Sequence, residues 1–394
     1  MEPDYIKAAR ECADELRELA SDVDREATYP HESMKIVRNS GLLAAVAPES
    51  MGGYDLGLKG DMWGLYRVID ILASGCSSTA QIVTVHFAAM GVVKAIGSDA
   101  QMIKFADAST KGETFCFLGS EPSQRFTDTG GRIKYDSTAD RVKNGWSVNA
   151  RKFFATGSVG CKYMMLFTMA DGAEDMTGLL TPVVDVHADG VEVVDNWDGI
   201  GQRATTSGSC SFNDVFVPDD MVIGDPGAFL KPGTIGQMFQ LAFASHFVGL
   251  GQGGLDFTVD YLKNKARPPH GFERAIDEPH VAHLVGDMSV KIEAGRALVR
   301  RAADALSAVE RGEASSGEAS CAVYQAKCHA SHVSIEMGSQ IFRLCGGQSA
   351  SAKFNADRFW RNARTITLHD NLDRQLTATG RMVLGIADLA STTR

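Results

Sequence analysis

The 394-residue chain is 44% hydrophobic and 22% charged, enough apolar material for a large core and, at roughly 100–200 residues each, for two or three domains. Its 39 basic and 49 acidic side chains leave a net charge of −10, which repels a phosphate backbone and argues against a nucleic-acid partner. The eight cysteines form no Cys-x-x-Cys pair, MEPDYIKAAREC lacks the pattern of a secretory leader, and no uninterrupted apolar run reaches the ~18 residues of a membrane span, so the expectation is a cytoplasmic protein with reduced thiols.

From Tyr5 to Leu72 apolar residues recur at helical spacing, as in Ile6, Ala9, Cys12, Leu16 and Leu19, and SGLL and MGGYDLG break the run into several helices. Residues 1–112 therefore read as an N-terminal α-helical domain. Past Lys111 come ETFCFLG, RIKYD, WSVNARKFFA, YMMLFTM, GLLTPVVDV, VEVVD and CSFNDVFVP, short β-rich runs divided by Gly, Asp and Asn. They predict a β-barrel or sandwich over 113–225. Long helical patterns return over 226–394 and predict a helical bundle, with RPPHGFERAIDEP separating its first two helices because proline breaks a helix interior. The fold class is α+β and multidomain, and the terminal STTR reads as a loose end.

Several familiar motifs fail on context. GIGQRA (Gly199, Gly201, Ala204) follows a strand but runs into another strand, whereas a dinucleotide fingerprint needs a helix N-terminus there. GLGQGG (Gly249, Gly251, Gly254) follows a helical run, so both patterns read as turn and packing glycines. No Glu-x-x-His pair, G-x-S-x-G elbow or Walker loop occurs. His280/His283 and Cys328/His329/His332 have helical spacing, yet solvated or hydrogen-bonded histidines are the commoner outcome, and no metal is expected.

The order of these textures, together with DREATYPHESMKIVRNSGLLAAVAPESMGG (24–53), FLGSEP (117–122), NGWSVNARKFFATGS (144–158) and DGIGQRATTSGSCSFNDVFVPDDMVIG (198–224), resembles the acyl-CoA dehydrogenase superfamily over nearly the whole chain. The resemblance implies an N-terminal helical domain, a middle β-domain and a C-terminal four-helix bundle, a homotetramer, and a flavin between the β-domain and the bundle. On matching positions it implies Ser120 and Thr156 as hydrogen-bonding partners of the isoalloxazine, Phe154 as an aromatic wall, and Arg267 with Gly346 and Gly347 near the flavin phosphate or tail. Read alone, the Gly346–Gly347 pair is a helix C-cap.

The string RNARTITLHDN departs from the dehydrogenase pattern, which carries a glutamate base in a Tyr-Glu-Gly turn; here His369 and Asp370 stand on the Tyr and the Glu. A shorter carboxylate sits farther from a substrate carbon. SEPSQRFTD also places Gln124, Arg125 and Phe126 where dehydrogenases keep a Gly-Ser-Asp turn. The Arg-Asn-Ala-Arg…His-Asp string looks like the branch of two-component monooxygenases that use O2 and reduced FMN or FAD from a separate flavin reductase, and within it the chain most resembles nitrososynthases oxidising a dTDP-linked amino sugar. That resemblance makes His369, Asp370 and His86 the catalytic candidates, with His369 and His86 managing protons. Read alone, His86 on its apolar helix is a satisfied core residue. The substrate pocket is expected near Phe243, His246 and Phe247. The alternatives are a sulfur or aromatic-carbon monooxygenase of the same branch, a dehydrogenase or nitroalkane-type oxidase with Asp370 as base, and a scaffold that has lost its flavin.

Overall fold

In the computed structural model, which describes residues 2–122, 125–126, 132–231 and 233–386, the first elements are helices: α1 (Asp4–Glu26), α2 (His31–Asn39), α3 (Met62–Gly75), α4 (Ser77–Ile96) and α5 (Asp99–Thr110). The Asp61 carboxylate caps α3 by accepting from the Gly64 N–H at 2.8 Å, and Ser98 with Gln101 forms a capping box on α5. Helix α4 is apolar on nearly all sides. By length and composition it passes as a membrane span although Ser, Thr, Gln and His interrupt its apolar run, but 78% of its apolar window is buried against other elements, which makes it a core helix.

Among the described residues eleven strands follow: β1 (Phe115–Leu118), β2 (Arg125–Phe126), β3 (Arg132–Lys134), β4 (Thr138–Val142), β5 (Gly145–Phe153), β6 (Tyr163–Leu166), β7 (Thr168–Ala170), β8 (Leu179–Leu180), β9 (Val183–Asp185), β10 (Val191–Val194) and β11 (Ser209–Pro218). A six-stranded sheet runs β10-β11-β5-β4-β7-β8 and a three-stranded sheet runs β1-β6-β9. The long β5–β11 pair carries a bulge between Phe212 and Val215, where Asn149 bonds Asp214. Gln124 and the STTR end lie outside the described residues, as do the side chains of Arg125 and Phe126.

The bundle consists of α6 (Ile235–Asn264), α7 (Pro279–Glu310) and α8 (Ser316–Cys345), followed by α9 (Arg358–Ile366) and α10 (Leu372–Val383). The last proline of the α6–α7 connection does not break a helix; it is the first residue of α7, where a missing N–H leaves no bond unmade. Both glycine patterns are close-approach positions. A Cβ on Gly201 would lie 2.1 Å from the Arg361 carbonyl oxygen, and one on Gly249 would lie 2.1 Å from that of Asp70, so α9 and α3 pack directly on backbone there. Arg361 completes the first of these contacts with a two-pronged bond to Asp24 of α1, at 2.7 and 3.0 Å, and a bond to the Ile200 carbonyl at 3.0 Å.

All eight cysteines are free. No group of three or more His, Cys, Asp or Glu side chains could hold a metal among the described residues; His329 instead bonds the Lys291 carbonyl.

Candidate active site

Where the β-domain meets α4, α6 and the segment after α9, the chain forms a half-open cavity of about 1360 Å3. Its wall includes Ser120, Phe154, Thr156, Phe243, His369 and Asp370, so the structure brings together six of the residues singled out in the sequence.

The β-domain side is built from strand ends. Ser120 follows β1 and is tied to β5 because its carbonyl accepts from the Phe153 N–H at 3.1 Å. The next residue, Phe154, has φ 56°, a left-handed conformation that costs a bulky residue ~1–3 kcal/mol and turns the chain sharply out of the strand. Its ring is 63% exposed and meets Trp197 edge-on at 6.2 Å, so that strain holds an aromatic surface in the cavity wall. Thr156 then joins a line of hydroxyls: Thr156 Oγ1 to Ser207 Oγ at 2.8 Å, Ser207 Oγ to Thr205 Oγ1 at 2.7 Å, and Thr205 Oγ1 to the Gln202 carbonyl at 2.8 Å. A carbonyl only accepts, so Thr205 donates to it, Ser207 donates to Thr205, and Thr156 donates to Ser207. The lone pairs of Thr156 are left for whatever enters the cavity.

The helical side is built around His369. Helix α9 ends at Ile366, whose carbonyl accepts from the His369 N–H at 3.0 Å, and Asn371 caps α10 by accepting from the Arg374 N–H at 3.2 Å. His369 and Asp370 therefore stand in a tight turn between two helices. The imidazole lies on the Phe243 ring with centroids 3.8 Å apart and planes 33° from parallel. Protein packed around it and the nearby Lys327 ammonium push its value down. His369 is exposed on the cavity, where solvent offsets part of that effect, and the downward direction leaves the imidazole neutral at pH 7.

Asp370 is held rather than free. Its Oδ2 accepts from Gln240 Nε2 at 3.0 Å and Gln375 Nε2 at 2.8 Å, and its Oδ1 accepts from the Asn371 N–H at 2.7 Å. Behind them Lys327, 1% exposed, donates to Gln240 Oε1, and burial brings its ammonium down to about 8 against the opposing pull of Asp370.

Six singled-out residues stand elsewhere. His86 is fully buried, its Nε2 2.7 Å from the Leu43 carbonyl and its Nδ1 accepting from the Phe115 N–H at 3.2 Å; both ring nitrogens are used and none faces the cavity. His246 is also fully buried, with Nε2 2.8 Å from Ser77 Oγ, and Phe247 is a core side chain. Arg267 is exposed in the connection after α6, and Gly346 and Gly347 are exposed beyond α8, where Gly346 has φ 70°. None of the three lines this cavity.

Burial lowers His86 to about 4. The folded value lies below the unfolded one, so the unfolded chain binds the extra proton first, and stability present above pH ~6.5 is lost as pH falls toward 4. Urea unfolding of His86→Gln is expected to show a slope of stability against pH smaller than wild type by about 1 kcal/mol per pH unit between pH 6 and 4.5. Parallel slopes would overturn that account of His86.

Sequence reasoning missed Gln240, Gln375 and Lys327, and also Trp197 and Ser207. The one signal was Lys327 itself, a lysine beside the buried Val323, Ala326 and Ala330 of α8. It missed as well the Glu121–Lys152 pair beneath the cavity, with Lys152 Nζ 2.5 Å from Glu121 Oε1 and both side chains sealed from solvent.

Two family models match the chain: the acyl-CoA dehydrogenase N-terminal domain over residues 5–113 and the C-terminal domain over residues 241–374. A dibenzothiophene monooxygenase of Mycolicibacterium goodii is 26% identical over 97% of this chain and 94% of its own. A probable FMNH2-dependent monooxygenase of Pseudomonas putida is 27% identical over 96% of this chain and 94% of its own. The crystal structure of TdsC from Paenibacillus sp. A11-2 with FMN and indole superposes with a TM-score of 0.88 at 26% identity, covering 98% of each chain. Helical, β and helical regions follow in the family's order, and the two models bracket the β-domain that supplies the cavity's hydroxyl side. The chain belongs to the acyl-CoA dehydrogenase superfamily.

Proposed function

We propose that this protein is a two-component flavin-dependent monooxygenase that takes reduced FMN from a separate reductase and oxygenates the sulfur or a ring carbon of a neutral aromatic substrate. The observation that carries the reading is one cavity holding both the Ser120–Thr156–Ser207 hydroxyl side and a neutral histidine stacked on an aromatic ring. The hydroxyls and the Phe154–Trp197 edge fit a flat ring with a polar rim, and the lone pairs of Thr156 suit an N–H donor such as reduced flavin carries. When bound, reduced flavin supplies the electrons that split O2, one atom going to substrate and the other to water. His369 then offers ring nitrogens that move or share a proton without a standing positive charge, and Phe243 fixes their direction.

The substrate class follows from the far wall. Phe117, Phe167, Phe229 and Phe239 line it, with ring centroids 4.7 to 5.1 Å apart, and the buried cation there, Lys152, is neutralised by Glu121. Such a wall favours a flat apolar molecule; α10 also brings Arg374 and Arg381 to the cavity, so the preference for the aromatic reading over the amino-sugar one rests on the phenylalanines. The dehydrogenase reading is weaker for a different reason: both oxygens of Asp370 already accept hydrogen bonds, which holds the carboxylate back from a substrate proton. Arg267 and Gly346–Gly347, exposed and away from this cavity, fit a role at the flavin tail of a neighbouring copy in a homotetramer. The setting proposed is the cytoplasm, where a reductase is at hand.

The test is a single turnover of reduced FMN and protein under 18O2 with dibenzothiophene or indole. One 18O atom per product, with less than one peroxide per flavin, is expected. If every flavin yields peroxide and no product carries label, the monooxygenase reading fails; if only a dTDP-linked amino sugar is labelled, the aromatic assignment fails.

A further inference from the structure

Lys327 is the buried group that the chemistry above leaves unused. It projects from the middle of α8 with 1% of its surface exposed, and its ammonium lies 6.0 Å from the centroid of the Phe243 ring, the ring on which His369 rests. A buried ammonium costs several kcal/mol unless it is compensated. Here the compensation runs through an amide. Lys327 donates to Gln240 Oε1, the same oxygen accepts from Gln375 Nε2 at 3.1 Å, and Gln240 Nε2 donates to Asp370 Oδ2 at 3.0 Å. Charge on the lysine thus orients Gln240 oxygen-first, which forces the Gln240 N–H2 toward Asp370. An uncharged side chain at 327 removes the charged donor to the Gln240 oxygen and leaves Gln375 and Asp370 alone to hold that amide.

We propose that Lys327 is a positioning residue: through Gln240 it locks Asp370 and the turn that carries His369, and its positive charge opposes a second one on the imidazole. The assignment rests on the monooxygenase reading for its purpose but not for its physics. The groups facing the turn are Tyr324 and Cys328 from α8 and Asp370, Asp373 and Arg374 from the turn and α10, while α6 presents Gln237, Gln240 and Phe243, which do not titrate. Of the charges around the turn Lys327 is the one that acts on the imidazole, adding to burial in disfavouring its protonated form.

The consequence is a histidine that stays neutral well into the acid range. Carbethoxylation by diethyl pyrocarbonate attacks only neutral imidazole, and mass spectrometry of the flavin-free protein reads it at His369 alone. An ordinary histidine, with a value of ~6.5, loses about tenfold in rate between pH 7.5 and 5.5. Wild-type His369 is expected to lose less than twofold. Lys327→Met, which keeps the volume and removes the charge, is expected to lose at least ~twofold over the same interval, because burial alone then disfavours the imidazolium. Lys327→Gln keeps a donor for Gln240 and removes the same charge; the same bend is expected from it, so poor folding of one variant leaves the other to decide. Profiles of both variants that superimpose on wild type would overturn the proposal. The 18O2 single turnover on wild type separates this from the larger reading: product labelling without a change in the carbethoxylation profile sinks Lys327 alone, and a changed profile without labelling sinks the oxygenase and leaves the positioning role standing.

Discussion

His369→Ala is expected to lower oxygenated product per reduced flavin by roughly 100-fold, the lower end of what a positioned proton-transfer group contributes, with the missing oxygen recovered as hydrogen peroxide. Reduced-FMN affinity is expected to stay within about threefold of wild type, because the hydroxyl line from Thr156 to Gln202 stands on a separate element from the α9–α10 turn. The split between the two readouts is what identifies the role. The imidazole sits on Phe243 at 3.8 Å, and alanine leaves that ring facing water, which both removes the proton carrier and lets solvent reach the reacting oxygen. His369→Asn, which keeps hydrogen bonding and loses proton transfer, is expected to fall between the two. Loss of FMN binding in step with loss of product would make His369 a flavin-binding wall, and unchanged coupling would remove it from the chemistry.

That His369 and Asp370 stand in a turn on the cavity was legible in the sequence, because RNARTITLHDN keeps them in consecutive residues of a string that resembles the family's. Ser120, Phe154 and Thr156 were reached through the family resemblance of FLGSEP and NGWSVNARKFFATGS, and the structure puts all three on the cavity wall. What surrounds them was not. Lys327, Gln240 and Gln375 come from three helices, and Gln240 lies 130 residues from Asp370, so no local pattern links them. His86 shows the converse failure. A polar residue on an apolar helix reads alike whether its nitrogens face a cavity or a backbone, and only the Leu43 carbonyl and the Phe115 N–H decide it. The glycines were readable as packing positions from context, but the backbones that meet them, at Arg361 and Asp70, were not. The fold itself was legible because helical and alternating periodicities occupy separate blocks of the chain.

The largest stability loss is expected not at the cavity wall but just beneath it, at Glu121. The residue is 7% exposed, and although burial works to make the carboxyl a weaker acid, Lys152, the Ser137 hydroxyl and the Asp136 N–H hold it ionised below the ordinary carboxylate range. Lys152 Nζ lies 2.5 Å from Glu121 and 2.5 Å from the Phe167 carbonyl, and 4.7 Å from the centre of the Tyr135 ring. Removing one partner of such a pair strands the other charge in the interior. Glu121→Ala is therefore expected to cost ~3–5 kcal/mol in urea unfolding at pH 7, while Glu121→Leu combined with Lys152→Met, which removes both charges and keeps the volume, is expected to recover most of it. Because the carboxylate is held ionised in the folded state, its contribution is full above the unfolded value near 4.5 and is lost as pH falls through the folded one. The pair also bears on the chemistry. Ser120 precedes Glu121 in sequence, and Tyr135 and Phe167, which Lys152 touches, line the aromatic wall. Substrate affinity is thus expected to fall in the single variant and return in the double one, whereas a double variant as unstable as the single would mean that Glu121 acts through contacts other than its charge.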